Sequence, residues 1–314
     1  MNSPLRVVFA GTPEFAVPCL AACAQPGVEI AAVYTQPDRP AGRGRKLTPS
    51  PVKQAALERG FRVEQPENFR SAEARAALAG YAPDLLVVVA YGLILSQRVL
   101  DIPRFGCWNV HASLLPRWRG AAPIQRAVLA GDAQSGVCLM QMEKGLDTGP
   151  VIACSATPLA PDETGGSLHD RLSALGAELL GTELATLART RLRPASEVQP
   201  ADGVEYAAKL DKAEAVIRWS DPAVAIERQV RAFDPWPVAE AEIAGERLRI
   251  WAAQALPGGG AAAPGSLVAA GRDGLDVATG AGLLRITEVQ RAGGRRLPVR
   301  DYLNARPELR SAPA

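Results

Sequence analysis

A chain of 314 residues with 47% hydrophobic and 22% charged residues is long enough for two ordinary domains and carries the surface charge of a soluble protein. Its formal net charge of +2 excludes a molecule-wide polyanion-binding surface, so any basic face has to be local. The longest apolar run, Leu85 to Leu95, falls well short of the about 20 residues of a membrane span; no basic n-region precedes an apolar stretch at the start, and a cytoplasmic location is expected.

Along the first two-thirds, strand-like and helix-like segments alternate. Leu5–Ala10 is a short apolar strand ending in Gly11-Thr12-Pro13, and a helical pattern follows with Phe15, Cys19 and Cys23 on one face and Pro18 in its first turn. Glu29–Thr35 reads as a second strand. Asp84–Ala90 is apolar on both faces and rich in β-branched residues, the pattern of a strand buried in the middle of a sheet. Cys107–His111 and Val137–Met142 are further strands, with a helix between Gly120 and Gly131. Ser167 is the expected N-cap of a helix with Leu168, Leu172, Leu175 and Leu179 along one face. This alternation predicts an α/β fold with a Rossmann-like, mostly parallel sheet covered on both sides, over residues 1–189.

Residues 190–208 lose the periodicity and collect Pro194, Ser196, Pro200 and Gly203, a linker composition. In 209–314 one helix is signalled by Asp221 as N-cap and Pro222 at the first helical position, with Ile226, Val230 and Phe233 on its buried side. Short strands punctuated by glycine follow: Ala239–Ile243, Arg247–Ala252, Ser266–Ala270, Leu275–Ala278 and Leu283–Val289. Their spacing predicts a second, smaller β-barrel or sandwich domain. The five cysteines lack CxxC spacing and are expected as buried, reduced thiols; with only two histidines, a multi-histidine metal site is not expected.

Gly11-Thr12-Pro13 is not a dinucleotide fingerprint: G-x-G-x-x-G is absent, and Pro13 removes an amide that would cradle a pyrophosphate. More informative is CWNVHASLLPRWRGAAPIQ, from Cys107 to Gln125. Asn109 and His111 lie two apart on a strand, so they face the same way at its carboxyl end, the edge where open α/β sheets bind ligands. Taken alone, such a pair is as compatible with the polar finish of a strand. Downstream, Gly145-Leu146-Asp147-Thr148-Gly149 is a turn whose carboxylate alone would read as a capping device.

Together, the Asn-x-His pair, the Ser113-Leu114-Leu115-Pro116 loop and the Leu-Asp-Thr-Gly turn resemble the folate-dependent formyltransferase family. The resemblance implies that Asn109, His111 and Asp147 are the catalytic set and that 10-formyltetrahydrofolate is the formyl donor, with no metal. It further implies that Ser113, Leu114, Leu115 and Pro116 lie against the reduced folate. The segment Val88, Val89, Ala90, Tyr91, Gly92, Leu93, Ile94 and Leu95 would line the pterin pocket with its backbone. Trp108 departs from the family pattern, which has a smaller aliphatic there; it alternates away from the catalytic face and predicts changed packing only.

Family members use different acceptors. Thr35–Lys53 holds Arg39, Arg43, Arg45, Lys46 and Lys53 against Asp38. As a composition it is an ordinary solvated loop, yet it resembles closely the insertion loop of the members that act on methionyl initiator tRNA. The resemblance extends through Ala232–Pro237, Ile250-Trp251 and Leu283–Arg296, where the family has a C-terminal tRNA-binding, OB-like barrel. It implies tRNA contacts from Arg39, Arg43, Arg45, Lys46, Arg291, Arg295 and Arg296, and a monomer free of membranes. Phe233, Trp236 and Trp251 are expected as core packing rather than base-stacking residues. A member acting on sugar nucleotides would share the catalytic set without this basic loop, and a non-catalytic RNA-binding module would need no converging Asn, His and Asp.

Overall fold

The computed structural model describes residues 3–41, 46–258 and 262–311. The first apolar run forms β1 (Leu5–Gly11), followed by β2 (Val28–Tyr34), β3 (Val63–Glu64), β4 (Leu85–Val89), β5 (Cys107–His111), β6 (Gln134–Gln141) and β7 (Val151–Pro158). They make one seven-stranded sheet in the order β7-β6-β5-β4-β1-β2-β3. Every pairing from β3 to β5 is parallel, and β6 returns antiparallel to β5, with His111 opposite Cys138. The all-apolar β4 is buried along its whole length because β1 and β5 flank it, as its sequence predicts.

Helices α1 (Val17–Cys23), α2 (Pro51–Glu58) and α3 (Ala72–Gly80) belong to the same body. Both α2 and α3 begin on a serine whose hydroxyl accepts a backbone N–H: Ser50 from Lys53 and Ser71 from Ala74, each at 3.1 Å. Their moderate amphipathicity hid them from a reading built on long apolar stripes. Helix α4 (Pro123–Ala130) and the 26-residue α5 (Gly165–Thr190) complete the N-terminal half. Ser167, expected as the cap of α5, lies inside it. Thr164 is the cap, its Oγ1 accepting from the Ser167 N–H while the Ser167 hydroxyl accepts from the Thr164 N–H, each at 3.0 Å. The buried stripe also shifts, running through Leu168, Leu172, Gly176, Leu180 and Leu184 in place of Leu175 and Leu179.

Residue contacts group the chain into two units that are not consecutive segments. The first holds 1–120, 134–157 and 169–207; the second holds 121–133, 158–168 and 208–314. Within the second unit, α4 packs on α6 (Ala223–Ala232), whose Ile226 and Val230 face the core of the antiparallel sheet. Arg126 of α4 is held by both carboxylate oxygens of Glu214, at 2.6 and 3.0 Å. Pro222, not Asp221, is the N-cap of α6; the Asp221 carboxylate is instead bonded to Arg218. Strands β8 (Ala239–Ile243), β9 (Glu246–Leu256), β10 (Leu267–Gly271), β11 (Gly274–Ala278) and β12 (Leu283–Arg291) form an antiparallel sheet in the order β8-β9-β12-β11-β10, with β13 (Arg296–Pro298) on β12. Its core is aliphatic around Ile243, Leu248, Ile250, Leu275 and Leu284. The fold is thus the expected α/β sheet with a separate antiparallel β unit.

Cys138 and Cys154 correct one expectation: they form a disulfide across neighbouring β6 and β7, their Cα atoms 4.1 Å apart. The two cysteines are 16 positions apart in the sequence, and the neighbouring strands set them face to face. Cys19, Cys23 and Cys107 are free and buried, as expected.

Candidate active site

The parallel sheet brings Asn109 and His111 to the carboxyl end of β5, on the same side of the strand, while Trp108 is buried on the opposite one. The chain then turns through Ala112–Trp118, braced where the Ser113 hydroxyl donates to the Arg117 carbonyl at 2.6 Å. The Leu115 amide donates to Cys138 Sγ at 3.4 Å, fastening the loop to the disulfide. Trp118, at φ 62°, returns its carbonyl to within 2.9 Å of His111 Nε2. A carbonyl can only accept, so Nε2 carries a proton in this arrangement.

From the other side, the turn after β6 delivers Asp147, itself at φ 53°. Its Oδ2 accepts the Gly120 N–H at 2.9 Å and stands 3.7 Å from His111 Nδ1; its Oδ1 is 3.4 Å from Asn109 Nδ2. The bond from Gly120 is the short one, while the histidine separation is an ion-pair distance, longer than a hydrogen bond. His111 is 6% exposed and the Asp147 side chain 15%, so their mutual field is screened little by solvent. Gly149 closes the turn against the backbone: a Cβ there would overlap the Gln141 carbonyl oxygen. An amide, an imidazole and a carboxylate therefore meet over the edge of the sheet, a donor and a proton carrier beside a fixed negative charge.

A family model described as formyl transferase matches residues 5–184, and one described as formyl transferase, C-terminal domain, matches residues 209–307. A methionyl-tRNA formyltransferase from Xanthomonas campestris pv. campestris strain 8004 is 60% identical over 305 residues, 97% of this chain and 99% of that protein. One from Stenotrophomonas maltophilia strain K279a is 60% identical over 98% of this chain and 99% of its own. The chain belongs to the methionyl-tRNA formyltransferase family. The crystal structure of an N-formyltransferase from Helicobacter canadensis, solved with folinic acid and dTDP-3-aminofucose, shares the fold at a TM-score of 0.66 and 16% identity, over 95% of this chain and all of that one.

The segment expected to line a pterin pocket continues from β4. Val88, Val89, Tyr91 and Leu95 are buried, while Ala90, Gly92 and Ile94 are exposed, so side chains alternately anchor the segment and leave it open. The Tyr91 carbonyl accepts from Thr12 Oγ1 at 2.9 Å and Gln36 Nε2 at 3.3 Å. Gly11-Thr12-Pro13 thus acts as a brace for this loop, a role that reading it as a failed nucleotide motif missed. Ser113 is buried, and Leu114, Leu115 and Pro116 are half-buried.

Of the basic residues, Arg39 is exposed and donates to Gln36 Oε1 at 2.9 Å. Arg39–Ala41 pairs antiparallel with Lys46–Thr48, and Lys46 is exposed. Arg43 and Arg45 lie outside the described residues. Arg291 is paired with Glu246, and Arg296 with Glu288, its guanidinium 4.9 Å over the Trp251 ring. Arg295 is exposed and makes no ion pair among the described residues.

Proposed function

We propose that this chain transfers the formyl group of 10-formyltetrahydrofolate to the free amino group of methionyl initiator tRNA. The observation that carries the reading is the meeting of Asn109, His111 and Asp147 at the carboxyl edge of the sheet, in a chain 60% identical along nearly its whole length to methionyl-tRNA formyltransferases. The α-amino group has an ordinary pKa near roughly 8, so a reactive neutral fraction exists at neutral pH without activation. As it attacks the formyl carbon, charge develops on the formyl oxygen, and the Asn109 amide is the fixed donor for it. Collapse breaks the bond from that carbon to N10 of the folate, and the proton on the new amide nitrogen has to reach N10. Nε2 of His111 is occupied by the Trp118 carbonyl, so Nδ1, beside Asp147, is the nitrogen that relays it. Asp147 orients the ring and stabilises its protonated form.

Residues 88–95 and 113–116 hold the folate in this reading, and 209–314 with the basic hairpin hold the tRNA. The protein works as a monomer in the cytoplasm; no helix among the described residues is long and apolar enough to cross a membrane. Incubating the purified protein with 10-formyltetrahydrofolate and charged initiator tRNA should yield formylmethionyl-tRNA. Formylation of an amino-sugar nucleotide with none on the tRNA would overturn the choice of acceptor.

A further inference from the structure

Gln199 lies in a stretch with a linker's composition, yet it is only 8% exposed and every hydrogen-bonding position of its side chain is filled. Its Nε2 donates to the carbonyls of Asp147 and Gly149, both at 2.8 Å. Its Oε1 accepts from Arg119 Nε and Nη2 at 3.0 and 2.7 Å. The amide cannot be turned over: carbonyls accept only and a guanidinium donates only, so the reversed group would set donor against donor. The surrounding chain is fastened on both sides. Glu197 and Val151 exchange two backbone bonds at 2.8 Å, and Tyr206–Ala207 pairs in parallel with Arg119–Gly120. Arg119 follows Trp118, whose carbonyl holds His111, and precedes Gly120, whose amide holds Asp147.

We infer that Gln199 is a positioning residue for the formyl transfer, locking the Asp147 turn to the 118–120 segment so that carboxylate and imidazole keep their separation. The inference rests on the reading of Asp147 as part of the catalytic set. Asp147 sits at a positive φ, uncommon for a non-glycine residue, and the bond from Gln199 to its carbonyl helps to hold it there.

The test is steady-state and single-turnover kinetics of Gln199→Ala and Gln199→Glu, each alone and combined with Asp147→Ala. Gln199→Glu keeps an acceptor for Arg119 but replaces the two donors with an oxygen that repels both carbonyls, so it breaks the strap while the Arg119 contact stays. Both single variants should lower kcat by about 10–100-fold, the usual cost of misplacing a reacting group by about 1 Å, with the KM for 10-formyltetrahydrofolate within about twofold of wild type. In the Asp147→Ala background, Gln199→Glu should cause no further fall, because there is no carboxylate left to position. Wild-type kcat for Gln199→Glu beside an impaired Asp147→Ala overturns the inference and leaves the site reading standing. An equal loss in both backgrounds overturns it too, in favour of a general structural role. Full activity of Asp147→Ala would instead remove the reading on which it rests.

Discussion

Asn109, His111 and Asp147 touch one another through separations of 3.4 and 3.7 Å, while the short contacts belong to the Trp118 carbonyl and the Gly120 amide. The backbone, more than the trio itself, sets the geometry, so each side chain can be removed without dismantling the site. Asn109→Ala, His111→Ala and Asp147→Ala should each lower kcat by about 10²–10³-fold at saturating folate and tRNA. Double variants should lose far less than the product of the singles, since the groups act as a unit. Near-wild-type turnover in any single variant would take that residue out of the mechanism. That these three lie together could be expected only from the resemblance of their combined motifs to the formyltransferases, since the Asn-x-His pair and the Asp147 turn each read alone as ordinary structure. Gln199 was not legible, because its four bonds join positions far apart in the chain and leave no period or spacing to read. The cysteines make a separate test at this scale. Burial pushes the Cys19 and Cys107 thiols up to about 12 and raises Cys23 as well, so at pH 8 the thiolate fraction at Cys19 or Cys107 is only about one in ten thousand. A raised pKa keeps the neutral thiol as pH climbs, so alkylation of the folded protein should stay negligible from pH 7 to 9. Unfolded without reductant the chain should titrate three thiols, and after reduction all five. Five thiols before reduction would refute the Cys138–Cys154 disulfide.

Among the elements, α5 meets β5 through Gly176. A Cβ at that position would stand 2.8 Å from Val110 Cγ1, on the strand residue between Asn109 and His111. Gly176→Leu should therefore destabilise the protein by about 1–3 kcal/mol through overpacking and displace β5 with it. A lowered urea midpoint at unchanged slope, with a reduced kcat, is the expected result; an unchanged midpoint would show that the helix can retreat freely. The basic hairpin is the element proposed to meet the tRNA. If the arginines between its strands neutralise phosphates, Arg43→Ala should flatten the log–log salt dependence of tRNA affinity by roughly 0.7–0.9, with folate binding unchanged. Identical slopes for variant and wild type would return the loop to ordinary solvated chain. Strands were more legible than helices. β1 and β4 are apolar runs whose burial follows from their place in the sheet, whereas α2 and α3 declare themselves mainly by a serine cap and have narrow buried faces.

At the scale of the molecule, the second unit draws α4 and residues 158–168 from the middle of the chain and the rest from its end. Sequence patterning cannot show this, because an amphipathic helix specifies that it has a partner and not which one. A fragment ending at Ala207 keeps Gln199 and the Tyr206–Ala207 strand but strips from α4 both α6 and the Glu214 carboxylate that holds Arg126. It should bind the dye ANS, melt below the full-length chain and formylate tRNA with much reduced kcat/KM. A fragment that melts at the full-length midpoint would show that α4 does not depend on α6. The same interleaving has a consequence for synthesis. About a hundred residues separate α4 from α6, and at about 5–20 residues per second the ribosome takes roughly 5–20 s to add them. For that interval α4 has emerged or is emerging while the helix it packs against has not yet been translated. The nascent chain thus passes through a window in which α4 exists without the helix and the carboxylate that hold it in the finished unit.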